Sequence, residues 1–245
     1  MGGATLLSMD EQIQHVATII NSRAIEKSGR YLVAIAGAPG SGKTTVATAL
    51  AQKLNSMQSD ASAQISPRAV SISMDGFHLP RSVLDTMPDV KKAYARRGAP
   101  WTFDAPASLA FVRRLSAWAS KKSSAPVIPE ENIYAPSFDH AIKDPVPDGI
   151  VILPSVSIVI LEGNYLLLDE PPWSEIGPLV DLRIFVQVDL DEARARVAKR
   201  HVAAGIEPTL DDALRRVDVN DYINGQLVQR RSVEMDLVIE SIPIR

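Results

Sequence analysis

Nine consecutive residues, Gly37-Ala38-Pro39-Gly40-Ser41-Gly42-Lys43-Thr44-Thr45, constrain this chain more than any other stretch. They fit G-x-x-x-x-G-K-[ST], and they stand in the setting that pattern requires. Tyr31 to Ala36 is a short apolar run that reads as a buried strand, and Val46 to Met57 reads as a helix with Val46, Leu50 and Leu54 on one face. A strand, a glycine-rich turn and a helix in this order separate a phosphate cradle from a chance glycine turn. The glycines let backbone N–H groups converge on phosphate oxygens, and the helix start adds its positive dipole end. Lys43 then reaches the β- and γ-phosphates, while the Thr44 hydroxyl holds Mg²⁺. The implied ligand is a nucleoside triphosphate.

The rest of the composition narrows the class. A length of 245 residues suits one α/β domain with insertions, and 46% hydrophobic residues suffice for a sizeable core. A net charge of −3 gives no basic surface for nucleic acid or an anionic membrane. The chain has no cysteine, so disulfides, thiolate catalysis and zinc–thiolate sites are excluded together. Leu6-Leu7 is too short for the apolar region of a signal peptide, and no apolar run approaches a membrane span. The expectation is a cytoplasmic protein.

Along the chain, Met9 to Lys27 reads as an amphipathic scaffold helix, with Ile13, Val16, Ile19 and Ile20 on its apolar stripe. Asn55 to Ser66 reads as a helix end and surface loop. Ala69 to Met74 is a second strand, and it delivers Asp75 to its carboxyl end, where open α/β sheets place their chemistry. Asp75 is therefore a candidate site residue; His78 is either a substrate contact or an ordinary loop histidine. Arg81 to Trp101 is polar, basic and proline-punctuated, with a short helix around Val90 to Arg97. It is read either as a solvated basic face or as a substrate-side loop. A helix follows from Pro106 to about Ser120, and Lys121 to Gly149 suits short strands or loops. Glu130, Asp139 and His140 in that stretch are possible substrate contacts without local geometry to fix them.

Ser155 to Leu161 is a strong buried-strand signal ending in Glu162, the form of the element that usually supplies an acid to the Mg²⁺ shell. Leu182 to Val188 is a further strand, followed by a helix from Leu190 to Ala203 carrying Arg194, Arg196, Lys199, Arg200 and His201. Arg196 and Arg200 are four apart and share a face. With the Gly205 break and the acidic turn Glu207 to Asp212, this segment suits a lid that closes over phosphates. Ala213 to Arg231 is expected as one helix containing Asn220-Asp221-Tyr222-Ile223-Asn224, and Met235 to Glu240 as a closing strand.

Together, the phosphate loop, Met74-Asp75-Gly76-Phe77-His78, Gly98-Ala99-Pro100-Trp101-Thr102-Phe103-Asp104, Tyr134 with Phe138-Asp139, Leu161-Glu162-Gly163-Asn164-Tyr165 and Arg196 to His201 carry a resemblance. From about Tyr31 to Glu240 the chain resembles the uridine kinase, phosphoribulokinase and pantothenate kinase-like branch of P-loop kinases. The resemblance implies an α/β fold: a three-layer α/β/α sandwich with a mostly parallel sheet and a small helical lid. It implies one kinase domain over 1–245, with an acceptor-side insertion at about 76–149 and the lid at about 194–215. ATP and Mg²⁺ are the implied cofactors, with Thr44, Asp75 and Glu162 around the metal. Lys43, Arg196 and Arg200 are implied on the phosphates and Asp75 as the base. Asp75, His78, Arg97, Asp104, Tyr134 and Asp139 are implied around the acceptor.

The resulting expectation is a kinase that moves the γ-phosphoryl of ATP to a hydroxyl of a nucleoside, sugar or related small metabolite, acting without nucleic-acid or membrane partners. Monomer and homodimer both stay open. The alternative is a nucleotide hydrolase or switch with water as acceptor. A switch needs few acceptor contacts, whereas roughly seventy residues between Asp75 and Gly149 are polar and aromatic, enough to wall a small-molecule pocket.

Overall fold

The computed structural model describes residues 7–27, 29–57, 68–120 and 131–242. Leu6, Glu130 and most of the surface loop expected at 55–66 lie outside them. Eight helices and seven strands are described: α1 (Met9–Lys27), β1 (Tyr31–Gly37), α2 (Lys43–Ser56), β2 (Ala69–Ser73), α3 (Arg81–Leu84), α4 (Val90–Ala95), α5 (Ala105–Ala119), β3 (Ile133–Asp139), β4 (Asp144–Ile152), β5 (Ile158–Glu162), β6 (Leu182–Gln187), α6 (Leu190–Ala203), α7 (Leu210–Val219), α8 (Asp221–Arg230) and β7 (Leu237–Glu240).

Five strands form one parallel sheet in the order β2-β5-β1-β6-β7, and β3 pairs with β4 in a separate antiparallel hairpin. β1 is central and buried along its whole length. Such a strand needs apolar residues on both faces, because helices cover both. The period of two divides it cleanly. Tyr31, Val33 and Ile35 join one core with α1 and α2, while Leu32, Ala34 and Ala36 join the other with α5 and Val228 of α8. The result is a helix–sheet–helix sandwich, the expected P-loop NTPase class. The sheet order changes direction around β1, so the carboxyl ends of β1, β2 and β5 open onto one crevice, the usual ligand position in such folds.

Among the boundaries that differ from the sequence reading, two bear on the site. Helix α2 starts at Lys43 rather than Val46, because its first turn faces the phosphate loop and needs no apolar stripe. The single helix expected over 213–231 is two helices, starting at Leu210 and broken at Asn220 (φ −136°, ψ −76°). Thr209 caps the first turn by accepting the Asp212 N–H, so the acidic turn expected at 207–212 partly belongs to α7. At the break, the Asn220 side-chain amide donates to the Arg97 carbonyl at 2.8 Å, a tertiary bond that the local periodicity does not contain.

The stretch 76–149 mixes two roles. Helix α5 lies inside it but packs Leu109, Val112 and Leu115 on the sheet as part of the sandwich. The β3–β4 hairpin instead crosses over the 3-10 turn Met74–Phe77 that follows β2. Gly76 permits that crossing, since a Cβ there would overlap the Pro136 carbonyl. Gly76→Ala is therefore expected to cost about 1–3 kcal/mol through overpacking. The loss would be read as a lower urea midpoint at an unchanged m-value; an unaltered midpoint would mean the hairpin yields freely.

Candidate active site

The phosphate loop runs from the end of β1 into α2. Gly40 (φ 81°) and Gly42 (φ 88°) occupy the left-handed region that only glycine enters cheaply. The Ser41 N–H is used internally, donating to the Ala38 carbonyl at 3.0 Å. Helix α2 has Gly42 at its N-cap, no side-chain cap and no acid in its first turn. The α1, α6 and α7 starts all carry acids instead. The first-turn amides of Lys43, Thr44 and Thr45 thus lack an intrahelical acceptor and meet an anion with the dipole in its favour.

The charges of three carboxylates bear on the Lys43 ammonium. Burial lowers the Lys43 pKa below the ordinary lysine value; Glu162 and then Asp75 oppose the shift, Arg200 adds to it and Asp221 opposes it. Lys43 makes no hydrogen bond or ion pair among the described residues, leaving its three donors for a ligand. Glu162 ends β5 and is only 3% exposed. Burial pushes its carboxyl up, and Lys43 and the hydroxyls of Ser73 and Thr44 pull it back down. Asp75 sits in the 3-10 turn after β2, its side chain 45% exposed, with its N–H donating to the Ser73 hydroxyl at 3.2 Å.

The same donors bear on Mg²⁺. Among the described residues no group of three or more His, Cys, Asp and Glu side chains could hold a metal alone. Mg²⁺ rarely needs such a cage: it keeps several waters and is held by one or two carboxylates plus substrate phosphates. Thr44 is exposed at the helix start, with its hydroxyl near enough to Glu162 to lower that carboxyl's pKa, and Asp75 lies nearby. That donor set fits the ion.

His78 lies between the Asp75 turn and the β3–β4 hairpin. Its ring stacks on Phe103 (3.9 Å between centroids) and Phe138 (5.0 Å), and its Nδ1 bonds the Asp75 carbonyl at 2.9 Å. Burial depresses its pKa, with Asp75 opposing. A neutral ring donating through Nδ1 presents Nε2 as an acceptor.

The other expected contacts are mostly occupied elsewhere. Arg97 donates to the carbonyls of Lys143 (2.7 Å) and Leu79 (3.1 Å) and to Asp144 (3.2 Å), pinning the hairpin to the segment before α5. Asp104 is the N-cap of α5, accepting the Ala107 N–H at 2.9 Å. Asp139 closes the hairpin turn by accepting the N–H groups of Ala141 and Ile142. Tyr134 is 44% exposed on β3, and its carbonyl accepts from Arg114. His140 stacks edge-on against Phe138, one ring beyond His78.

Arg196 and Arg200, the two α6 arginines expected on the phosphates, also part company. Arg196 donates to Glu192 (2.9 Å), to the Ser241 hydroxyl (2.7 Å) and to the carbonyls of Ile242 (3.1 Å) and Gly40 (3.5 Å). It ties α6 to the back of the phosphate loop and to the segment after β7. Arg200 is exposed and stands close enough to act on Lys43. Shared helical spacing puts both on one face, but long side chains reach opposite ends of it.

Five residues were not singled out from the sequence as site members. The Ser73 hydroxyl accepts the Asp75 N–H and lowers the Glu162 pKa, and the charge of Asp221 bears on Lys43 from the start of α8. Arg96 and Asn224, with Asn220, join the turn before α5 to the α7–α8 break. The asparagine–aspartate pair inside an expected helix was the available signal, since both residues favour helix ends.

Comparison with known proteins agrees with this geometry. Residues 32–244 match the Phosphoribulokinase / Uridine kinase family. A Schizosaccharomyces pombe protein named "Putative uridine kinase" is 41% identical over 227 residues, covering 91% of this chain and 90% of its own. Among solved structures, the "putative fructose transport system kinase" of Silicibacter sp. TM1040 is 31% identical with a TM-score of 0.73, covering 95% of this chain and 99% of its own. Saccharomyces cerevisiae YFH7 shares the fold at a TM-score of 0.79 and 24% identity, covering 96% and 98%.

The buried histidines give a pH signature. His78 and His201 both have pKa values lowered by burial from the ordinary 6.5. The unfolded chain binds protons at these sites before the folded one does, so stability is retained above the ordinary value and falls as pH drops below it. His78→Gln should make the fall in unfolding free energy between about pH 7 and pH 5 shallower without abolishing it, because His201 still contributes. Urea titrations across that range test this; parallel slopes for the two proteins would refute the burial of a neutral His78.

Proposed function

Because the chain belongs to the phosphoribulokinase and uridine kinase family of P-loop kinases, we propose that it transfers the γ-phosphoryl of ATP to a hydroxyl of a nucleoside, a sugar or a related small polar metabolite. The observation that carries this reading is Asp75: a half-exposed carboxylate at a strand end, beside Lys43 and Glu162, under a wall formed by His78, Phe103 and Phe138. The relatives' names point to uridine and to fructose. Their shared chemistry is a sugar-type hydroxyl.

In this reading the loop amides and Lys43 hold the β- and γ-phosphates, and Asp75 accepts the proton of the attacking hydroxyl. Mg²⁺, held through Thr44 with Glu162 beside it, would neutralise charge between the β- and γ-oxygens. Arg200 adds positive charge where the transferring group carries most negative charge, a purely electrostatic contribution. Arg196 stabilises the loop from behind. The β3–β4 hairpin and the 81–104 segment form the acceptor wall, and α6 with α7 forms the lid. His78 Nε2 accepts a second hydroxyl of the acceptor.

ATP turnover with Mg²⁺ against a panel of nucleosides, sugars and polyols tests the proposal, with the phosphorylated product identified for any compound that accelerates ADP release. Lys43→Ala should abolish turnover. Asp75→Asn should lower kcat by about 100-fold or more with ATP binding retained, the upper part of what a positioned base contributes. ADP release indifferent to the whole panel, or an undiminished kcat in Asp75→Asn, would favour water as acceptor and overturn the kinase assignment of Asp75.

A further inference from the structure

The break between α7 and α8 places a carboxylate that the proposed reaction has not yet used. We propose that Asp221 is a positioning residue of the phosphoryl-transfer site, the fixed counter-charge that holds the mobile guanidinium of Arg200 over the phosphates. This inference rests on the kinase reading and on the role given there to Arg200.

The location comes from packing. Helix α8 lies directly on the phosphate loop at Gly225, where an added Cβ would stand 3.4 Å from Ala38 Cβ and 3.0 Å from Leu190. Asp221 is one turn earlier on the same face. It lines a small cavity together with Pro39, Ala193, Val197 and Val217, between the loop and helices α6 and α7. Its backbone is therefore anchored to the loop that carries the phosphates.

Its neighbours hold that anchor. Asn220 and Asn224, only 8% and 2% exposed, bracket Asp221. The Asn224 amide donates to Asn220 Oδ1 (3.2 Å), and Arg96 donates to Asn224 Oδ1 (3.1 Å) and to the Val219 carbonyl (3.0 Å). The Asn220 amide reaches the Arg97 carbonyl, and the Tyr165 hydroxyl donates to the next carbonyl, Gly98, at 2.6 Å. These bonds tie Asn220, Asn224 and Arg96 into one buried polar network that favours a single arrangement. It also breaks a helix that local sequence would continue.

The surrounding charges are basic. Ala193 and Val197 of α6 line the cavity with Asp221, and Arg200 and His201 follow one turn past Val197 on that helix. The charges of His201, then Arg200, then Arg216 of α7 bear on Asp221, which in turn bears on Lys43. Asp221 nevertheless makes no direct ion pair among the described residues, and neither does Arg200. A half-buried carboxylate without an ion pair attracts the exposed guanidinium of Arg200 without fixing it. The arginine thus stays near the site yet free to turn to a phosphate.

A double-mutant cycle tests this with Asp221→Asn, Arg200→Ala and the combined variant, each checked by thermal melting. Asp221→Asn should lower kcat about tenfold, within the range spanned by mispositioned catalytic groups. KM for ATP should stay level or fall, because a negative charge near the triphosphate is gone; simple structural damage would raise it. In the Arg200→Ala background the same substitution should lower kcat by less than about twofold, since residues acting through one another are not additive. Asp221→Glu should recover most of kcat, and Asp221→Ala replaces the asparagine variant in the cycle if that variant does not fold. A full, additive loss in the Arg200→Ala background would overturn the proposal while leaving the kinase reading intact. If Arg200→Ala alone left kcat unchanged, the role of Arg200 would fail, and this inference with it.

Discussion

The desolvated ammonium of Lys43 depends on carboxylates that reach it from three separate places in the chain. Glu162 comes from the end of β5, Asp75 from the turn after β2 and Asp221 from the start of α8. A cation taken out of water is costly unless it is compensated, and each of these acids is also depleted of water or hemmed in by neighbours. The arrangement is balanced but not closed: Lys43 keeps all its donors, and the α2 amides keep theirs. A polyanion completes it. The parallel order β2-β5-β1 is what brings two of the acids to the lysine, since it ends three strands side by side.

Around that centre the fold divides labour between rigid and loosely held parts. The phosphate loop is braced from behind, by Arg196 at the Gly40 carbonyl and by Gly225 of α8 against Ala38. The hairpin side is braced by Arg97, whose guanidinium bonds Leu79, Lys143 and Asp144, and by Gly76, which lets the hairpin lie on the Asp75 turn. Arg200 and Thr44 are left exposed between the two. Braced backbone with a few free polar ends is what a preorganised electrostatic site requires.

Much of this was legible in the sequence where local chemistry and long-range placement coincide. The phosphate loop, the strand-end acids Asp75 and Glu162 and the boundaries of α1 and α6 follow from spacing alone, because their signals are periodicity and turn chemistry. Spacing along the chain decides less where one residue type can serve two purposes. Asp104 and Asp139 match an acceptor pattern but cap a helix and close a turn, as short acids do wherever free N–H groups occur. Arg97 reads as a ligand contact, yet it is consumed by three carbonyl and carboxylate partners remote in sequence.

The sequence by itself determined the nucleotide loop, the class of sandwich around it and the family, because each rests on local patterns that the backbone must obey wherever they occur. Only the tertiary structure decided that Arg196 and Arg200 face different partners, that the last long helix breaks at Asn220, and that Asp221 stands beside Lys43. The physical reason is reach. Charge and hydrogen-bond partners are chosen across folded space by whichever groups are left unsatisfied there, and no spacing along the chain records that choice.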